Sequence, residues 1–174
     1  MINYHIILLS LRCVLASPAA VTIIGSPLDV ADLRVMGVEV TDVLDLDMFN
    51  VAHIMGNHFK AGEWPKRRCG SVITCVIEGR SLYARVERFF KVHGHAAPGY
   101  ASVIWFGYPE YPFDTPIIVK VSEEEPRDLV ERIGSVIRIT QIDPSQVMVE
   151  RDPDCEGVCW MMRDSGFDTM PSST

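Results

Sequence analysis

The stretch that decides the fold is Gly70–Val121, with the sequence GSVITCVIEGRSLYARVERFFKVHGHAAPGYASVIWFGYPEYPFDTPIIVKV. It contains four runs rich in Val, Ile, Tyr, Phe and Trp, the residue types that suit a pleated, half-buried strand. The runs are Ser71–Glu78, Leu82–Val92, Tyr100–Gly107 and Pro116–Val121. Turn-forming residues separate them at Glu78–Ser81, His93–Gly99 and Tyr108–Phe113. Strands joined by short turns predict a curled antiparallel sheet.

The flanking sequence adds short strands and two helices to this sheet. Further strands are predicted at Val21–Ile24, Val35–Val40, Ser135–Thr140, Gln146–Glu150 and Val158–Met162. Asp42–Asn57 is predicted to be a helix, because its apolar residues recur at helical spacing. Pro126–Ile133 predicts a second, shorter helix that begins at a proline. Many short strands at close spacing favour a mainly β protein with minor α, built as a small antiparallel β-barrel or barrel-like sandwich.

The chain of 174 residues is long enough for one domain with an appendage. Its composition, 48% hydrophobic and 22% charged, excludes wholesale disorder. Residues 1–57 are an aliphatic, acidic N-terminal segment in which short strands and one helix are predicted. Residues 58–165 are predicted to hold the β-barrel, and residues 166–174 to form a flexible tail.

The net charge of −7 argues against a protein that grips nucleic acid with its whole surface. The charge is uneven, however, because the window from Phe59 to Tyr100 holds eight Lys and Arg residues against three Glu. We therefore expect one basic face, able to bind phosphates or an acidic partner. Its candidate binding residues are Lys66, Arg67, Arg68, Arg85 and Arg88. The alternative is a solvated strand face with cross-strand ion pairs to Glu78 and Glu87.

Five cysteines are scattered through the chain, and their odd number favours reduced, mostly buried thiols over a disulfide scaffold. Structural zinc sites prefer pairs of cysteines separated by about two to four residues. Cys69 and Cys75 are too far apart for such a pair, whereas Cys155 and Cys159 stand in a turn that could chelate. We expect no metal and no cofactor, but a metal at Cys155 and Cys159 stays an open alternative.

No apolar run approaches the ~18 residues of a membrane helix, so no membrane association is expected. The first 17 residues nevertheless resemble a weak secretory signal, with apolar Ile6–Leu11 followed by small residues. Against a signal, no Lys or Arg precedes the apolar run, and Arg12 interrupts it. A buried strand or helix and a segment of a longer parent protein are the alternatives.

The central strands also resemble a known family. Over roughly Gly70–Val149, the order of motifs is similar to that of bromo-adjacent homology (BAH) domains. The motifs are Gly70-Ser71-Val72, Tyr83-Ala84-Arg85-Val86-Glu87, Val103-Ile104-Trp105-Phe106 and Tyr108-Pro109. A second resemblance is to C-terminal regions of transposase-like proteins of mobile elements. Its motifs, in order, are Tyr83–Glu87, Trp105-Phe106, Tyr111-Pro112, Ile142–Val147 and Met161–Arg163. That second resemblance implies derivation from a transposase, although the chain lacks the length and the acidic triad of a ribonuclease-H-like catalytic core.

The BAH resemblance implies a non-enzymatic interaction module in the nucleus, with the cytoplasm as the alternative location. Its expected partners are a chromatin protein or histone tail, and nucleic acid through the basic face. Aromatic rings attract a methylated ammonium group through their electron-rich faces. The aromatic corner that would bind it consists of Trp105, Tyr108, Tyr111 and Phe113. The alternative is that most of these rings belong to the core.

Two functions of other classes stay open. One is a small hydrolase in which Cys75 and His93 act as nucleophile and base, an arrangement for which only the residue types argue. The other is a secreted, effector-like protein, which would require the first residues to be a signal peptide.

Overall fold

The structure is a computed structural model that describes residues 13–16, 21–62, 70–96, 98–113 and 117–163. These residues form a mainly β fold in which every strand pairing is antiparallel. The strands are β1 (Cys13–Ala16), β2 (Val21–Ile24), β3 (Asp45–Phe49), β4 (Val51–Ile54), β5 (Asn57–Lys60), β6 (Val72–Ile77), β7 (Arg80–Val92), β8 (Tyr100–Trp105), β9 (Ile118–Ser122), β10 (Val136–Arg138), β11 (Val147–Arg151) and β12 (Val158–Arg163). The helices are α1 (Pro27–Val35) and α2 (Arg127–Ile133), with a short 3-10 helix at Ile139–Gln141.

The 13-residue strand β7 organises a six-stranded central sheet. One edge of β7 pairs with β8, and the other edge pairs first with β6 and then with β3. The sheet continues from β8 to β10 and from β3 to β2. Two three-stranded sheets complete the fold: the N-terminal sheet, in the order β1-β4-β5, and the C-terminal sheet, in the order β11-β12-β9.

Two tight turns fix the register of neighbouring strands. Glu78 and Gly79 join β6 to β7 with φ angles of 51° and 75°. Met55 and Gly56 join β4 to β5 with φ angles of 48° and 89°. Positive φ at both central residues is the type I′ conformation, whose twist matches that of the flanking strands. The turn predicted at Glu78–Ser81 is confirmed.

The main core lies between one face of the central sheet and the N-terminal sheet, with α2 against it. Trp105 and Phe89 from the central sheet meet Ile54 and Phe59 from the N-terminal sheet, and Leu129 of α2 closes the cluster. All of these side chains are buried. Burial of this apolar surface is the main term that favours folding.

The other face of the central sheet is covered by two different elements, one at each end of β7. Near its start, Tyr83 packs against the C-terminal sheet. Near its end, Phe90 and Val92 pack against Leu33 of α1. Within the described residues no sheet closes into a barrel, and the layers fit a sandwich-like fold. The predicted fold class, mainly β, antiparallel and barrel-like or sandwich-like, is therefore confirmed in its sandwich form.

A β-bulge in β7 makes this shared coverage possible. The pairing of β7 with β8 shifts between Val86 and Arg88, which leaves Glu87 as the extra residue. A bulge adds local twist and bends the strand. The two halves of β7 can therefore present Tyr83 to one covering element and Phe90 to another.

Most predicted elements of the second half of the chain are confirmed. The central strand runs correspond to β6–β9, although Pro116 at the start of the fourth run lies outside the described residues. The later runs correspond to β10–β12, and Pro126–Ile133 corresponds to α2. Val21–Ile24 is β2 as predicted. Neither helix of the described residues is long and apolar enough to span a bilayer.

The strand predicted at Val35–Val40 is wrong. Val35 is the last residue of α1, and no strand is formed at residues 36–40. The helix begins with a capping box, because Ser26 Oγ accepts a hydrogen bond from the Asp29 amide while the Asp29 carboxylate accepts one from the Ser26 amide. Pro27 occupies the first helical position, where its fixed φ suits a helix.

The helix predicted at Asp42–Asn57 is also wrong, since this segment forms β3, β4 and the start of β5. In β3 the buried Leu46 is flanked by Asp45 and Asp47, which is the two-residue period of a strand. Pairing of β3 with β7 satisfies its backbone. The predicted boundary after residue 57 falls at the start of β5, and β2 and β3, which precede it, belong to the central sheet.

Candidate functional site

The predicted basic face is only partly described by the structure. Lys66, Arg67 and Arg68 lie outside the described residues. Arg88 makes an internal ion pair, with its Nη2 atom 2.5 Å from Oδ1 of Asp29, whose side chain is only 4% exposed. This cation is therefore neutralised by α1.

Arg85 is also engaged within the fold. Its guanidinium carbon lies 5.3 Å from the centroid of the Phe106 ring, and its Nε atom is buried without a hydrogen-bond partner among the described groups. Among the described residues, the cross-strand ion pairs expected on this face are not formed: Glu78 pairs with Arg132 of α2 at 3.3 Å, and Glu87 accepts a hydrogen bond from Ser102. The described part of the basic face is thus half-buried and built into the packing.

Trp105, one of the four residues of the predicted aromatic corner, is fully buried. Its indole Nε1 donates to the Gly134 carbonyl at 2.9 Å, and its backbone amide donates to the Glu125 carboxylate at 3.0 Å. Its neighbour Phe106 is buried as well, on the opposite face of the sheet. Trp105 therefore offers no ring to a ligand. It is a core residue, which is the alternative that the sequence left open.

The other three residues of the corner lie at the surface. Tyr108 donates its hydroxyl to Asp128 of α2 at 2.5 Å, and this hydrogen bond raises the pKa of Tyr108. Tyr111 and Phe113 are each about half exposed. The Phe113 ring lies 6.2 Å from the ring of Trp160, a residue that the sequence analysis did not select.

Trp160 belongs to an apolar surface on the outer face of the C-terminal sheet, which we call the outer platform. Its members are Met148, Met162, Ile118, Trp160 and Phe113. Met148 of β11 lies directly opposite Met162 of β12, and Met162 lies opposite Ile118 of β9. Met148 is 60% exposed and Phe113 52% exposed, and the others are half-buried.

Trp160 is held in place on this platform by polar contacts. Its Nε1 donates to Asp152 at 3.0 Å, and Lys120 Nζ lies 5.7 Å from its ring centroid. Lys120 Nζ is also 3.8 Å from the same Asp152 carboxylate. These contacts fix the orientation of the indole while leaving part of the ring accessible.

The margin of the outer platform is acidic. Glu150 lies opposite Trp160 on the neighbouring strand, and further carboxylates follow in the β11–β12 connection. They are Asp152, Asp154 and Glu156. Arg151 points away from this margin, to Glu123, with its Nε 3.4 Å from the carboxylate. The surface therefore combines apolar side chains with a negative rim.

One feature of the sequence does indicate this platform: an uninterrupted apolar run in β12. Val158–Met162 reads as one apolar run, and its strand alternation places Cys159 and Met161 in the core. The remaining members, Val158, Trp160 and Met162, must then face outward. A strand that is apolar at every position has no polar face to give to solvent.

Cys75 and His93, the alternative catalytic pair, do not meet. Cys75 lies opposite Leu82 near the start of β7, whereas His93 follows the last residue of that strand. The intervening strand spans roughly 35 Å at ~3.3 Å per residue. Cys75 is fully buried, and burial raises the pKa of its thiol far above the ordinary range. A buried, protonated thiol is a poor nucleophile.

His93 instead pairs with Asp47, with Nδ1 3.0 Å from Oδ2. Thr22 donates its hydroxyl to the same carboxylate at 2.7 Å. The Thr22 hydrogen bond, followed by the His93 ring, lowers the pKa of Asp47. In the described part of the chain, no hydroxyl or thiol is hydrogen-bonded to His93, so this pair lacks the nucleophile of a triad.

Cys155 and Cys159 differ in environment. Cys155 is exposed in the turn, whereas Cys159 is buried and donates its thiol to Glu123 at 3.3 Å. Burial, followed by this hydrogen bond, raises the pKa of Cys159 to about 11. Among the residues that the structure describes, no group of three or more potential ligands could hold a metal ion.

Comparison of the chain with protein-family models, curated proteins and solved structures finds no match. The resemblances to BAH domains and to transposase-like proteins therefore stay predictions.

Proposed function

We propose that this protein is a non-enzymatic interaction module that binds a basic segment of a protein partner on the outer platform. A chromatin protein or histone tail, the partner expected of a BAH-like domain, belongs to this chemical class. The platform supplies apolar contact area, and the rim supplies charge complementary to Lys and Arg side chains. Complementary charge mainly sets specificity and association rate, while buried apolar anchors supply most of the affinity.

The observation that carries the proposal is that the C-terminal sheet bears large apolar side chains on both faces, although Glu150 and Lys120 flank Trp160 on the outer one. Its inner face, with Val119, Cys159 and Met161, already packs against the central sheet. A sheet of this kind ordinarily turns polar side chains to solvent on its second face. Here the second face bears Met148, Trp160 and their neighbours, and a contiguous exposed apolar surface on a folded protein marks an interaction site.

The charges near the platform favour a protein over nucleic acid. Phosphates would approach the carboxylates of Glu150 and its neighbours in the β11–β12 connection, which repel them. The described arginines of the basic face, Arg85 and Arg88, are engaged inside the fold. A basic peptide meets no such repulsion.

The test is binding of the full chain to fluorescent histone-tail peptides, measured by anisotropy at physiological salt. Trp160→Ala and Met148→Gln should each weaken binding by about tenfold or more, because a central aromatic or apolar anchor contributes a large share of interface energy. Met55→Gln is the matched control: Met55 is a similarly exposed methionine, in the turn of the N-terminal sheet. It should bind as the unaltered protein does.

Two other probes separate the alternatives. An acidic peptide of the same length should not bind, and a duplex DNA oligonucleotide should not compete with the histone peptide. If DNA binds with an affinity that falls steeply with salt, while histone peptides do not bind, nucleic acid replaces protein as the partner. If Met55→Gln weakens binding as much as Met148→Gln, the outer platform is not the site.

A further inference from the structure

A small acidic pocket opens at the opposite end of β7 from the C-terminal sheet. It lies between the segment that leads from α1 into β3 and the residues that follow β7, and its volume is about 250 Å³. Its floor is apolar, formed by Val40, Leu44 and Val92. Its polar lining consists of Glu39, Thr41, Asp45, His93 and His95.

Backbone hydrogen bonds hold the walls of this pocket. The His93 amide donates to the Asp45 carbonyl at 2.9 Å, and the His95 amide donates to the Val92 carbonyl at 3.0 Å. On the other side, the Gly25 amide donates to the Leu44 carbonyl at 2.9 Å, which anchors the segment before β3 to β2. The pocket is thus preformed by the central sheet.

The pocket contains two carboxylates, those of Glu39 and Asp45. Within the described residues, neither Glu39 nor Asp45 makes an ion pair or a side-chain hydrogen bond. Both side chains are exposed. Water solvates these exposed carboxylates, and a cation on an aliphatic stem would gain ion pairs with them together with contact to the apolar floor.

The nearby cations are already engaged. Arg34 Nη2 lies 2.7 Å from the Asp42 carboxylate and donates to the Val40 carbonyl. Lys91 Nζ lies 5.9 Å from the centroid of the Phe49 ring. Asp47, paired with His93, adds a further negative charge next to the pocket. The field in the pocket is therefore negative.

We infer that this pocket binds an alkylammonium group on an aliphatic stem, with the ammonium between Glu39 and Asp45 and the stem on Leu44 and Val92. Its volume is below the ~300–1,000 Å³ of pockets for drug-sized ligands, so it suits a single side chain or a slender amine. Two sources share this chemistry: a lysine side chain of a protein partner, and a free polyamine. The inference goes beyond the outer platform and does not rest on it.

The test is an NMR titration of the isotope-labelled full chain with three probes: capped lysine amide, capped norleucine amide and spermidine. Norleucine has the lysine stem without the charge. The two amines should shift the backbone amides of Leu44, Asp45 and His95 in a saturable manner, and norleucine should not. Tighter binding of capped lysine assigns the pocket to a protein side chain, and tighter binding of spermidine assigns it to a free polyamine.

The double variant Glu39→Gln/Asp45→Asn should weaken binding of the amines by about tenfold or more, because it removes both charge-assisted contacts. Its matched control is Glu150→Gln/Asp154→Asn, which removes the same charge from the platform rim. If the control weakens binding equally, only the overall charge matters and the pocket is no site. An equal response to norleucine, or no shift with any probe, overturns the inference as well, whatever the outcome for histone peptides.

Discussion

The side chain of Trp105 is fully buried, although it belongs to an aromatic-rich segment of the sequence. The aromatic run around it suggested a cage, yet its indole fills the main core and hydrogen-bonds to Gly134. Phe106, its strand neighbour, fills the second core under the C-terminal sheet. Neighbouring residues of a strand point to opposite faces of its sheet. Because the central sheet is covered on both faces here, Trp105 and Phe106 are both buried.

Truncation of either residue should therefore be costly. Trp105→Ala and Phe106→Ala should each lower the free energy of unfolding by about 3–5 kcal/mol, because each leaves a large cavity. Phe113→Ala, which removes a half-exposed ring, should cost less than about 1 kcal/mol. Urea unfolding measures all three. Equal losses for Phe106 and Phe113 would show that the C-terminal sheet does not cover Phe106.

At the scale of elements, strands marked by turns were predictable, whereas α1 and the strands β3 to β5 were not. Alternation and turn residues suffice for β6–β8 because β7 is 13 residues long and its pairings with β6 and β8 are both local hairpins. In Asp42–Asn57 the apolar residues satisfy helical and strand periods at once, and only pairing with β7 decides between them. The capping box at Ser26 was a local signal for α1 that went unused.

For the candidate site as well, the sequence indicated local features but not the contacts between distant segments. Tyr111 and Phe113 are exposed, but the sequence could not show that Trp160 lies beside Phe113, because the two residues are nearly fifty positions apart. The pairing of β12 with β11 and β9, which builds the outer platform, is non-local. The periodicity of a sequence shows which residues share one face of a single strand. The outer platform is built from three strands, so their pairing must also be known.

The packing of α1 onto the central sheet depends on a buried ion pair. Arg88→Met should lower the free energy of unfolding by about 3 kcal/mol, because it leaves the buried Asp29 carboxylate without its cation. Arg34→Met is the matched control: its partner Asp42 is 89% exposed, so the loss should stay below about 1 kcal/mol. If Arg88→Met and Arg34→Met lower the free energy of unfolding equally, the Arg88 ion pair contributes no more than an exposed one, and the packing of α1 does not depend on it.

For the whole molecule, the sign of the charge connects the two candidate sites. The net charge is −7, and both the rim of the outer platform and the pocket at Glu39 and Asp45 are negative. On the basic face, Arg88 forms an ion pair with Asp29, and Arg85 lies over the ring of Phe106. Both features support the proposal that the partners are cationic and not polyanionic.

The buried thiols and phenols give the whole fold a characteristic response to alkaline pH. Burial raises the pKa of Cys75, Tyr83 and Tyr100, and burial with the Glu123 hydrogen bond raises that of Cys159 from 9.0 to about 11. The folded state therefore keeps protons that the unfolded chain has already released. Because the folded state binds more protons, the free energy of unfolding falls as pH rises.

The contribution of Cys159 should be fully present below pH 9.0 and lost as pH rises to about 11. Urea unfolding in the presence of a reductant should show the free energy of unfolding declining across this window. Cys159→Val, which cannot ionise, should decline less steeply. Cys155→Val removes an exposed thiol and should keep the original slope. A Cys159→Val curve parallel to that of the unaltered protein would mean that the Cys159 thiol is not buried against Glu123, and that the C-terminal sheet packs differently on the central sheet.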